Sequence, residues 1–135
     1  MRLTASVRKF LERERVVRVA TIGRDGVPHV VPVCHVVENG KIYFSTDKDS
    51  KKVKNLRRHP QAAVLADLYS EDWPRLAGAI ITGPATLIGP GPRFRKLRSL
   101  LYQKYPQYAG ESALEEGEVV MVEVSPRRLV SWGLD

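Results

Sequence analysis

Residues 42–66 constrain the fold most strongly, because the pattern of the sequence changes twice within this segment. The segment opens with a run of β-forming side chains. Ser50 then supplies the type of residue that caps the start of a helix. The next two turns place Val53 and Leu56 three positions apart, on one face of that helix. Pro60 ends the helix, and an apolar run follows it. The pattern therefore predicts a strand, a two-turn helix and a second strand.

The junction between the first strand and the helix collects groups that bind anions. Hydroxyl groups come from Ser45, Thr46 and Ser50, and ammonium groups come from Lys51 and Lys52. Backbone N–H groups at the start of a helix point outward, and the helix dipole adds positive potential there. The sequence therefore predicts a phosphate site, although it lacks the Gly-x-x-x-x-Gly-Lys pattern of a Walker loop. Composition alone favours a simpler alternative, a capped surface helix with solvated lysines.

The rest of the chain alternates short β-forming runs with turn residues. The predicted strands cover residues 16–22, 27–37, 41–45, 62–68, 76–88, 118–124 and 129–132, and the predicted helices cover residues 3–14, 51–58 and 93–105. Asp-Gly at 25–26 and Asn-Gly at 39–40 are typical of tight turns, so the first three strands are predicted to form an antiparallel meander. Gly83 and Pro84 predict a bulge or a bend, and the apolar run at 62–68 predicts burial on both faces. Six or seven antiparallel strands with inserted helices indicate a mainly β fold, a small barrel, and leave several barrel types open.

The length and charge of the chain limit its function. A chain of 135 residues predicts one domain, and a net charge of +7 favours anionic partners such as phosphate cofactors or nucleic acid. The sequence lacks zinc-finger spacing and an aromatic-rich stacking strand, so nucleic acid is not the expected partner. It also lacks a long apolar run and a signal-peptide pattern, which predicts no membrane span and a cytoplasmic location. Cys34 is the single cysteine, and His29 and His35 have no third candidate ligand near them, so no metal site is expected.

The residues of the central segment that match one known family are Ser45, Thr46, Ser50, Lys51, Lys52, Asn55 and Pro60. Together they resemble the phosphate-binding segment of the pyridoxamine 5′-phosphate oxidase-like, flavin-binding split barrels. In that family a Thr is followed four residues on by a Ser and then by two basic residues, and these hold the phosphate of flavin mononucleotide (FMN). The resemblance extends to residues 18–22 and 25–28, which look like the first strand and hairpin turn of the family. It covers most of residues 10–88, and it is looser in the C-terminal third.

The resemblance implies a Greek-key split barrel that forms a homodimer, with a flavin-type cofactor at the dimer interface and a small-molecule substrate. It implies that the cofactor ring is bordered by the first strand, at Arg18, Val19, Ala20, Thr21 and Ile22. Arg18 would hold phosphate or lie beside the ring, where negative charge grows on reduction; the alternative is an edge charge that reaches solvent. Trp132 would approach the cofactor bound by the other subunit, or else it closes the barrel as a core tryptophan.

This chain departs from the family in two places. It lacks the C-terminal Arg-x-His segment that grips the substrate in true pyridoxamine-phosphate oxidases, so that substrate is not expected. Gly78 stands where the family has a glutamine that contacts the cofactor. The segments 69–75 and 105–108 look more like a subgroup that uses the deazaflavin coenzyme F420, whereas the Ser-Lys-Lys sequence favours FMN. No catalytic acid or base is indicated. A flavin carrier or sensor, or a basic nucleic-acid-binding barrel, stays open as an alternative to an enzyme.

A homodimer is also predicted from the distribution of valines in the second strand. The strand places Val27, Val31, Val33 and Val37 on one face, and Val30 and Val36 on the other. One face can fill the barrel, and the other needs cover, because a monomer would otherwise expose an apolar patch. Two-fold pairing would bury that patch in both subunits at once.

Overall fold

The computed structural model describes residues 1–110 and 113–134, and this part of the chain contains eight antiparallel strands and three α-helices. The strands are β1 (Val17–Ile22), β2 (Pro28–Val33), β3 (Val36–Glu38), β4 (Lys41–Asp47), β5 (Gln61–Leu68), β6 (Ala77–Ile88), β7 (Val119–Val124) and β8 (Arg128–Trp132). The helices are α1 (Ala5–Arg13), α2 (Lys51–Arg58) and α3 (Pro92–Lys104). Short 3₁₀ turns occur at Trp73–Arg75 and Pro106–Tyr108. The strands form one curled sheet in the order β2-β1-β5-β6-β7-β4-β3, and β8 also pairs with β6. The predicted mainly β split barrel with inserted helices is therefore confirmed.

The long strand β6 joins the two halves of the barrel. Its first part pairs with β5 on one side and with β8 on the other, and its last part, from Ala85 to Ile88, pairs with β7. Gly83 lies where the partner changes, and a Cβ atom at this residue would lie 1.8 Å from the carbonyl oxygen of Ser125. The register with β5 continues through Pro84, so of the predicted bulge or bend, the bulge is absent from the pairing with β5. The glycine instead allows the connection between β7 and β8 to pass close to β6.

The predicted second strand, residues 27–37, is in fact two strands, which explains why there are eight strands and not six or seven. β2 pairs with β1, and β3 pairs with β4 in the other half of the barrel. Cys34 and His35 lie between them. The hydroxyl of Tyr105 accepts a hydrogen bond from the His35 N–H at 2.9 Å and lies 2.8 Å from its carbonyl oxygen. This side chain takes the place of a neighbouring strand, so the predicted three-stranded meander is wrong.

The core consists of two clusters. The larger cluster lies inside the curled sheet beneath α1 and α2, and it includes Phe10, Phe44 and Ile81. The smaller cluster lies between α3 and the outside of the β3–β4–β7 half, and it includes Phe94 and Met121. The three helices therefore pack apolar side chains against the sheet.

Ion pairs between the buried Glu123 and two largely exposed cations help to fix α3 on the sheet. One Glu123 oxygen accepts hydrogen bonds from the Tyr43 hydroxyl, at 2.8 Å, and from Arg93 at the start of α3. The Lys41 ammonium group lies 3.4 Å from the other oxygen. Burial raises the pKa of Glu123, but the Tyr43 hydrogen bond and the charges of Lys41 and Arg93 outweigh it, and the pKa falls below its usual range.

One face of the β2–β1–β5–β6–β8 half stays exposed, and we call it the outer face. Its apolar side chains include Val30, Ile80, Val130 and Trp132, which are 63%, 37%, 59% and 39% exposed. The prediction that β5 is buried on both faces is wrong, because its residues alternate and only every second one is buried.

The predicted division of the valines between two faces of one strand is wrong in part. The break in the strand places Val36 in the core, and Val27 is exposed. Val30 keeps its predicted place on the uncovered side. No helix of the described residues is both long and apolar enough to cross a membrane.

Candidate functional site

The start of α2 is fastened to the end of β4 by hydroxyl groups. Ser50 caps the helix, and its Oγ accepts a hydrogen bond from the Val53 N–H at 3.3 Å. The same Oγ accepts a second hydrogen bond from the Thr46 hydroxyl at 2.9 Å. Because Thr46 is buried, this bond fixes the position of the helix start relative to the sheet. The structure thus brings Thr46 and Ser50 together, as the sequence predicts.

Ser45 does not join this group. Consecutive residues of a strand point to opposite faces, so Ser45 faces away from Thr46. The Ser45 side chain is half-buried on the other side of β4. The prediction that three hydroxyl groups converge at the start of α2 therefore holds for two of them.

A buried amide connects α2 to β1. Asn55 is 1% exposed, and its Nδ2 donates a hydrogen bond to the Oγ1 of Thr21 at 3.0 Å. Its Oδ1 accepts a hydrogen bond from the Arg58 guanidinium at 3.3 Å. Thr21 is itself 2% exposed, so both ends of the first bond are removed from water. This link determines where the exposed face of α2 lies, and sequence reasoning did not detect it, because Thr21 lies far away in the chain.

A cleft between α2 and the β1–β2 hairpin turn is lined by Arg24, Asp25, Lys51, Lys54, Asn55 and Arg58. We call it the basic cleft; its volume is about 620 Å³. It contains four cationic side chains and a single carboxylate. Within residues 1–110 and 113–134, none of these four cations takes part in an ion pair. Such a site favours an anionic ligand.

The sequence analysis identified only one of the cations in this cleft, Lys51. Lys52 is half-buried and lies outside the lining. Lys54 and Arg58 could have been found from their positions three and seven residues after Lys51, which place all three on one face of a helix. Arg24 could not have been found from the sequence spacing, because it reaches the cleft only through the pairing of β1 with β2.

A shallow apolar hollow lies on the outer face near this cleft. It has a volume of about 240 Å³ and is lined by Ala20, Thr21, Ile22, Pro28, Gln61, Ala62, Ala63 and Thr82. Three of the predicted ring-border residues, Ala20, Thr21 and Ile22, meet here. Thr21 lines the hollow and binds Asn55, which lines the basic cleft. The Thr21 side chain points to the buried side of the sheet, so its backbone borders the hollow. The two depressions lie near each other because Ile22, at the end of β1, lines the hollow and Arg24, two residues further on, lines the cleft.

The other two predicted residues of β1 lie elsewhere. Val19 is fully buried in the core and has no access to either depression. Arg18 is exposed on the outer face, and its Nη1 lies 3.5 Å from the Oδ1 of Asp67. Arg18 and Ala20 are successive outward-facing residues of β1, so Arg18 lies beside the hollow although it is not part of the lining.

Gly78 and Trp132 face each other across the β6–β8 pair. A Cβ atom on Gly78 would lie 2.2 Å from Cζ2 of the Trp132 indole. The glycine therefore lets the indole lie flat against β6 on the outer face. This contact gives a structural reason for glycine at a position where the family resemblance predicts glutamine.

A separate cavity of about 370 Å³ lies at the break between β2 and β3, and its lining includes Arg15, Cys34, Tyr105 and Tyr108. Burial raises the pKa of Tyr105 to about 12. Behind it, His35 is fully buried and its Nε2 lies 2.7 Å from the carbonyl oxygen of Leu11.

A carbonyl oxygen can only accept, so the Nε2 of His35 carries the proton and the buried Nδ1 has no partner among the described residues. Burial, with the nearby Lys104 charge, lowers the pKa of His35 to about 4. The described residues contain no group of three or more His, Cys, Asp or Glu side chains arranged to hold a metal ion.

Known proteins share sequence and fold with this chain. The sequence pattern of the family described as "Pyridoxamine 5'-phosphate oxidase" matches residues 3–133. A 5a,11a-dehydrotetracycline/5a,11a-dehydrooxytetracycline reductase from Streptomyces rimosus is 30% identical over an alignment of 132 residues, and the match covers 93% of this chain and 80% of that protein.

Two solved structures share the fold. One is described as an F420 reductase, with a TM-score of 0.75 and 19% sequence identity. The match covers 95% of this chain and 98% of that chain. The haem storage protein HutZ from Vibrio cholerae has a TM-score of 0.78 at 15% identity, with 96% of this chain covering 94% of it. Because proteins with different ligands in their names share this fold, the fold alone does not identify the cofactor.

Proposed function

The chain belongs to the pyridoxamine 5′-phosphate oxidase family, and from this premise we propose that it is a homodimeric oxidoreductase that binds FMN or the deazaflavin coenzyme F420. The anionic group of the cofactor would occupy the basic cleft, and the ring would lie against the apolar hollow. The reductases among its relatives support an oxidoreductase class.

The observation that carries this proposal is the adjacency of the two depressions. A cofactor with a planar ring and a charged tail needs an apolar surface next to a cationic one. The hollow supplies the first and the cleft supplies the second, and they lie near each other at the end of β1, where Ile22 lines the hollow and Arg24 lines the cleft. The donor set also fits, since Lys51 and the free N–H groups at the start of α2 suit phosphate oxygens. We keep Lys52 and Ser50 among the proposed phosphate-binding residues, because both lie at the start of α2.

The outer face supports the dimer. Its exposed apolar side chains, Val30, Ile80, Val130 and Trp132, lie on the same face of the paired strands. Two-fold pairing through this face would bury them and would also cover the hollow, which is open in one subunit. Trp132 would then come close to the cofactor of the other subunit. Light scattering at micromolar concentration should give the mass of a dimer; a stable monomer that still binds one cofactor per chain would contradict both the dimer and the shared site.

The cofactor would supply hydride or electron transfer once bound, and the protein would bind and orient it and exclude water. The cleft cations hold the tail, and the hollow and the partner subunit enclose the ring. Arg18, beside the hollow, would add positive charge near the ring, where reduction increases negative charge. Asp67 competes for that guanidinium at 3.5 Å, so the effect depends on how closely the pair stays together. We assign no catalytic acid or base.

The substrate is proposed only as a small molecule. Residues 119–135, which include the last two strands, contain no Arg-x-His segment of the kind that would grip pyridoxamine 5′-phosphate. We therefore expect no production of pyridoxal phosphate when pyridoxamine 5′-phosphate and oxygen are supplied to the flavin-loaded protein. Rapid, oxygen-dependent formation of the aldehyde would show that this expectation is wrong.

The decisive experiment is the spectrum of the purified protein, together with mass analysis of any cofactor that it releases. Absorbance typical of a flavin or a deazaflavin, at one cofactor per subunit, is the expected result. A protein that carries no such cofactor and binds neither FMN nor F420 on titration would exclude the proposal. A carrier or sensor would bind the cofactor equally well, so turnover with an external reductant separates it from an enzyme.

A further inference from the structure

The apolar hollow on the outer face has a charged residue at its edge. Thr82 of β6 lines the hollow, and the residue that pairs with it in β8 is Arg128. Directly opposed residues of paired antiparallel strands place their side chains on the same face, with Cβ atoms about 5 Å apart. Thr82 is half-buried and Arg128 is exposed. The guanidinium of Arg128 is therefore within reach of a group that occupies the hollow.

The strand register explains why the hollow lies at this place. One row of outward-facing residues crosses four strands, from Ala20 through Ala63 and Thr82 to Arg128. The next row consists of larger side chains in the same four strands, namely Arg18, Leu65, Ile80 and Val130. The two alanines therefore form a floor on which a planar group can lie, and Arg128 stands at the end of that floor.

The charges of the outer face do not balance within one subunit. Alternation along the paired strands places three charged side chains on this face, those of Arg18, Asp67 and Arg128. Arg18 and Asp67 lie 3.5 Å apart. Within residues 1–110 and 113–134, no ion pair includes Arg128. The face therefore carries one excess positive charge, and that charge lies beside the hollow.

This excess charge matters once the face is covered. In the proposed dimer the other subunit lies over the outer face, and a cation that loses water without gaining a counter-group is strongly unfavourable. A guanidinium presents a flat fork of N–H donors that matches a pair of neighbouring acceptors. The ring systems of FMN and F420 both carry an edge with two carbonyl groups, and reduction increases negative charge at that edge. Such an edge is the counter-group that Arg128 needs.

We propose that Arg128 positions the cofactor ring in the hollow by donating hydrogen bonds to its carbonyl edge, and that it favours the reduced ring over the oxidised one. The inference rests on the proposed function, since it requires the ring to lie in the hollow. Arg18 shares its charge with Asp67, whereas the full charge of Arg128 is available to the ring. Arg128 is then the residue of this chain that raises the reduction potential of the bound cofactor.

The test uses three measurements on the full-length protein. Fluorescence titration with FMN and with F420 gives the dissociation constant of the oxidised cofactor, a redox titration gives the reduction potential of the bound cofactor, and light scattering gives the mass of the cofactor-free protein. The proteins are the wild type, Arg128→Gln, Arg128→Lys and a control, Arg127→Gln. Arg127 is exposed and precedes β8, and its backbone N–H, which the substitution keeps, donates to the Thr82 carbonyl oxygen at 2.8 Å. The control therefore removes the same charge one residue away.

We expect Arg128→Gln to weaken binding of the oxidised cofactor by about threefold and of the reduced cofactor by roughly thirtyfold, because a charge-assisted hydrogen bond is lost mainly from the reduced form. This tenfold difference corresponds to a two-electron potential that is lower by about 30 mV. Arg128→Lys keeps the charge and loses the planar fork, so its potential should stay closer to that of the wild type than to that of Arg128→Gln. The control should match the wild type in all three measurements.

Three results would overturn the inference and leave the proposed function intact. An unchanged potential and unchanged affinity in Arg128→Gln would show that the guanidinium stays in solvent. An unchanged potential, together with a shift of the cofactor-free protein toward the monomer, would show that Arg128 pairs with a carboxylate across the dimer. An equal fall in potential in the Arg127→Gln control would show a general effect of net charge. A wild type that binds neither FMN nor F420 removes the proposed function, and the inference with it.

Discussion

The hydrogen bond between Asn55 and Thr21 should contribute measurably to stability, because both side chains are buried. Asn55→Ala removes the donor and leaves the Thr21 hydroxyl without a partner at 2% exposure. An unsatisfied buried polar group costs roughly 1–3 kcal/mol, and the lost side-chain packing adds to it. We expect the free energy of unfolding to fall by about 2–3 kcal/mol, or roughly 3–5 °C in Tm for each kcal/mol in a chain of this size.

A double-mutant cycle separates the hydrogen bond from the packing. Thr21→Val removes the hydroxyl with little change in shape, and it leaves the Asn55 amide as the unpaired group, so we expect a loss of about 1–2 kcal/mol. The double variant, Asn55→Ala with Thr21→Val, should be about 1 kcal/mol more stable than the sum of the single losses predicts. Urea denaturation of the cofactor-free protein at neutral pH measures all four stabilities. Additivity within a few tenths of a kcal/mol would refute the claim that the two groups are coupled.

The same variants test the connection to the cleft. Asn55→Ala also releases the Arg58 guanidinium, which Asn55 Oδ1 holds at 3.3 Å, whereas Thr21→Val leaves that contact in place. We therefore expect Asn55→Ala to weaken binding of an anionic cofactor by several-fold more than Thr21→Val does, when both are measured by titration below their unfolding temperatures. Equal affinities would show that the position of Arg58 does not depend on Asn55.

Four further predictions concern single sites. Lys51→Ala with Lys52→Ala should weaken FMN or F420 binding, by up to a hundredfold if both side chains contact phosphate at roughly 1.5–3 kcal/mol each; unchanged affinity on titration would move the phosphate elsewhere. Gly78→Ala should displace the Trp132 indole, since the new methyl group would lie 2.2 Å from it, and an unchanged tryptophan emission spectrum would contradict this. Trp132→Ala should lower cofactor affinity and shift light scattering toward the monomer, and no change in either measurement would place this side chain outside the dimer contact. The pKa of His35 falls from 6.5 to about 4 on folding, so the unfolded chain binds more protons than the folded chain between these two pH values. The free energy of unfolding should therefore decrease as the pH falls from 6.5 to 4, by at most about 3 kcal/mol. A His35→Gln variant with the same pH profile of stability as the wild type would argue against this assignment.

The features that the sequence predicted well depend on residues close together in the chain. The bounds of α2 and its Ser50 cap follow from a local pattern, and so does the turn at Asn39 and Gly40, where φ is 51° and 71°. The family resemblance rests on the same segment and is confirmed by the match over residues 3–133. Thr46 and Ser50 form a hydrogen bond because the end of a strand and the start of a helix can adopt few relative positions when only four residues separate them.

The candidate site was predicted less completely, since its parts come from distant segments. Ala20, Thr21 and Ile22 were expected at the ring, and they do line the hollow. Val19 was included with them, but strand alternation buries it. Ser45 was assigned to the phosphate site because it is next to Thr46 in the sequence. The alternation of side chains along a strand places it on the opposite face.

The sequence by itself determined the local elements of this protein: where helices and most strands begin and end, which turns are tight, and which segment carries the cations. The tertiary structure decided how these elements combine. Tyr105 ends β2 and separates it from β3 through hydrogen bonds to His35, a residue 70 positions away. Arg24 and α2 meet in one cleft only because β1 pairs with β2 and Asn55 binds Thr21. The physical reason is the range of the interactions, since caps and turns gain their energy from near neighbours, whereas strand partners and shared clefts depend on contacts summed over the whole fold.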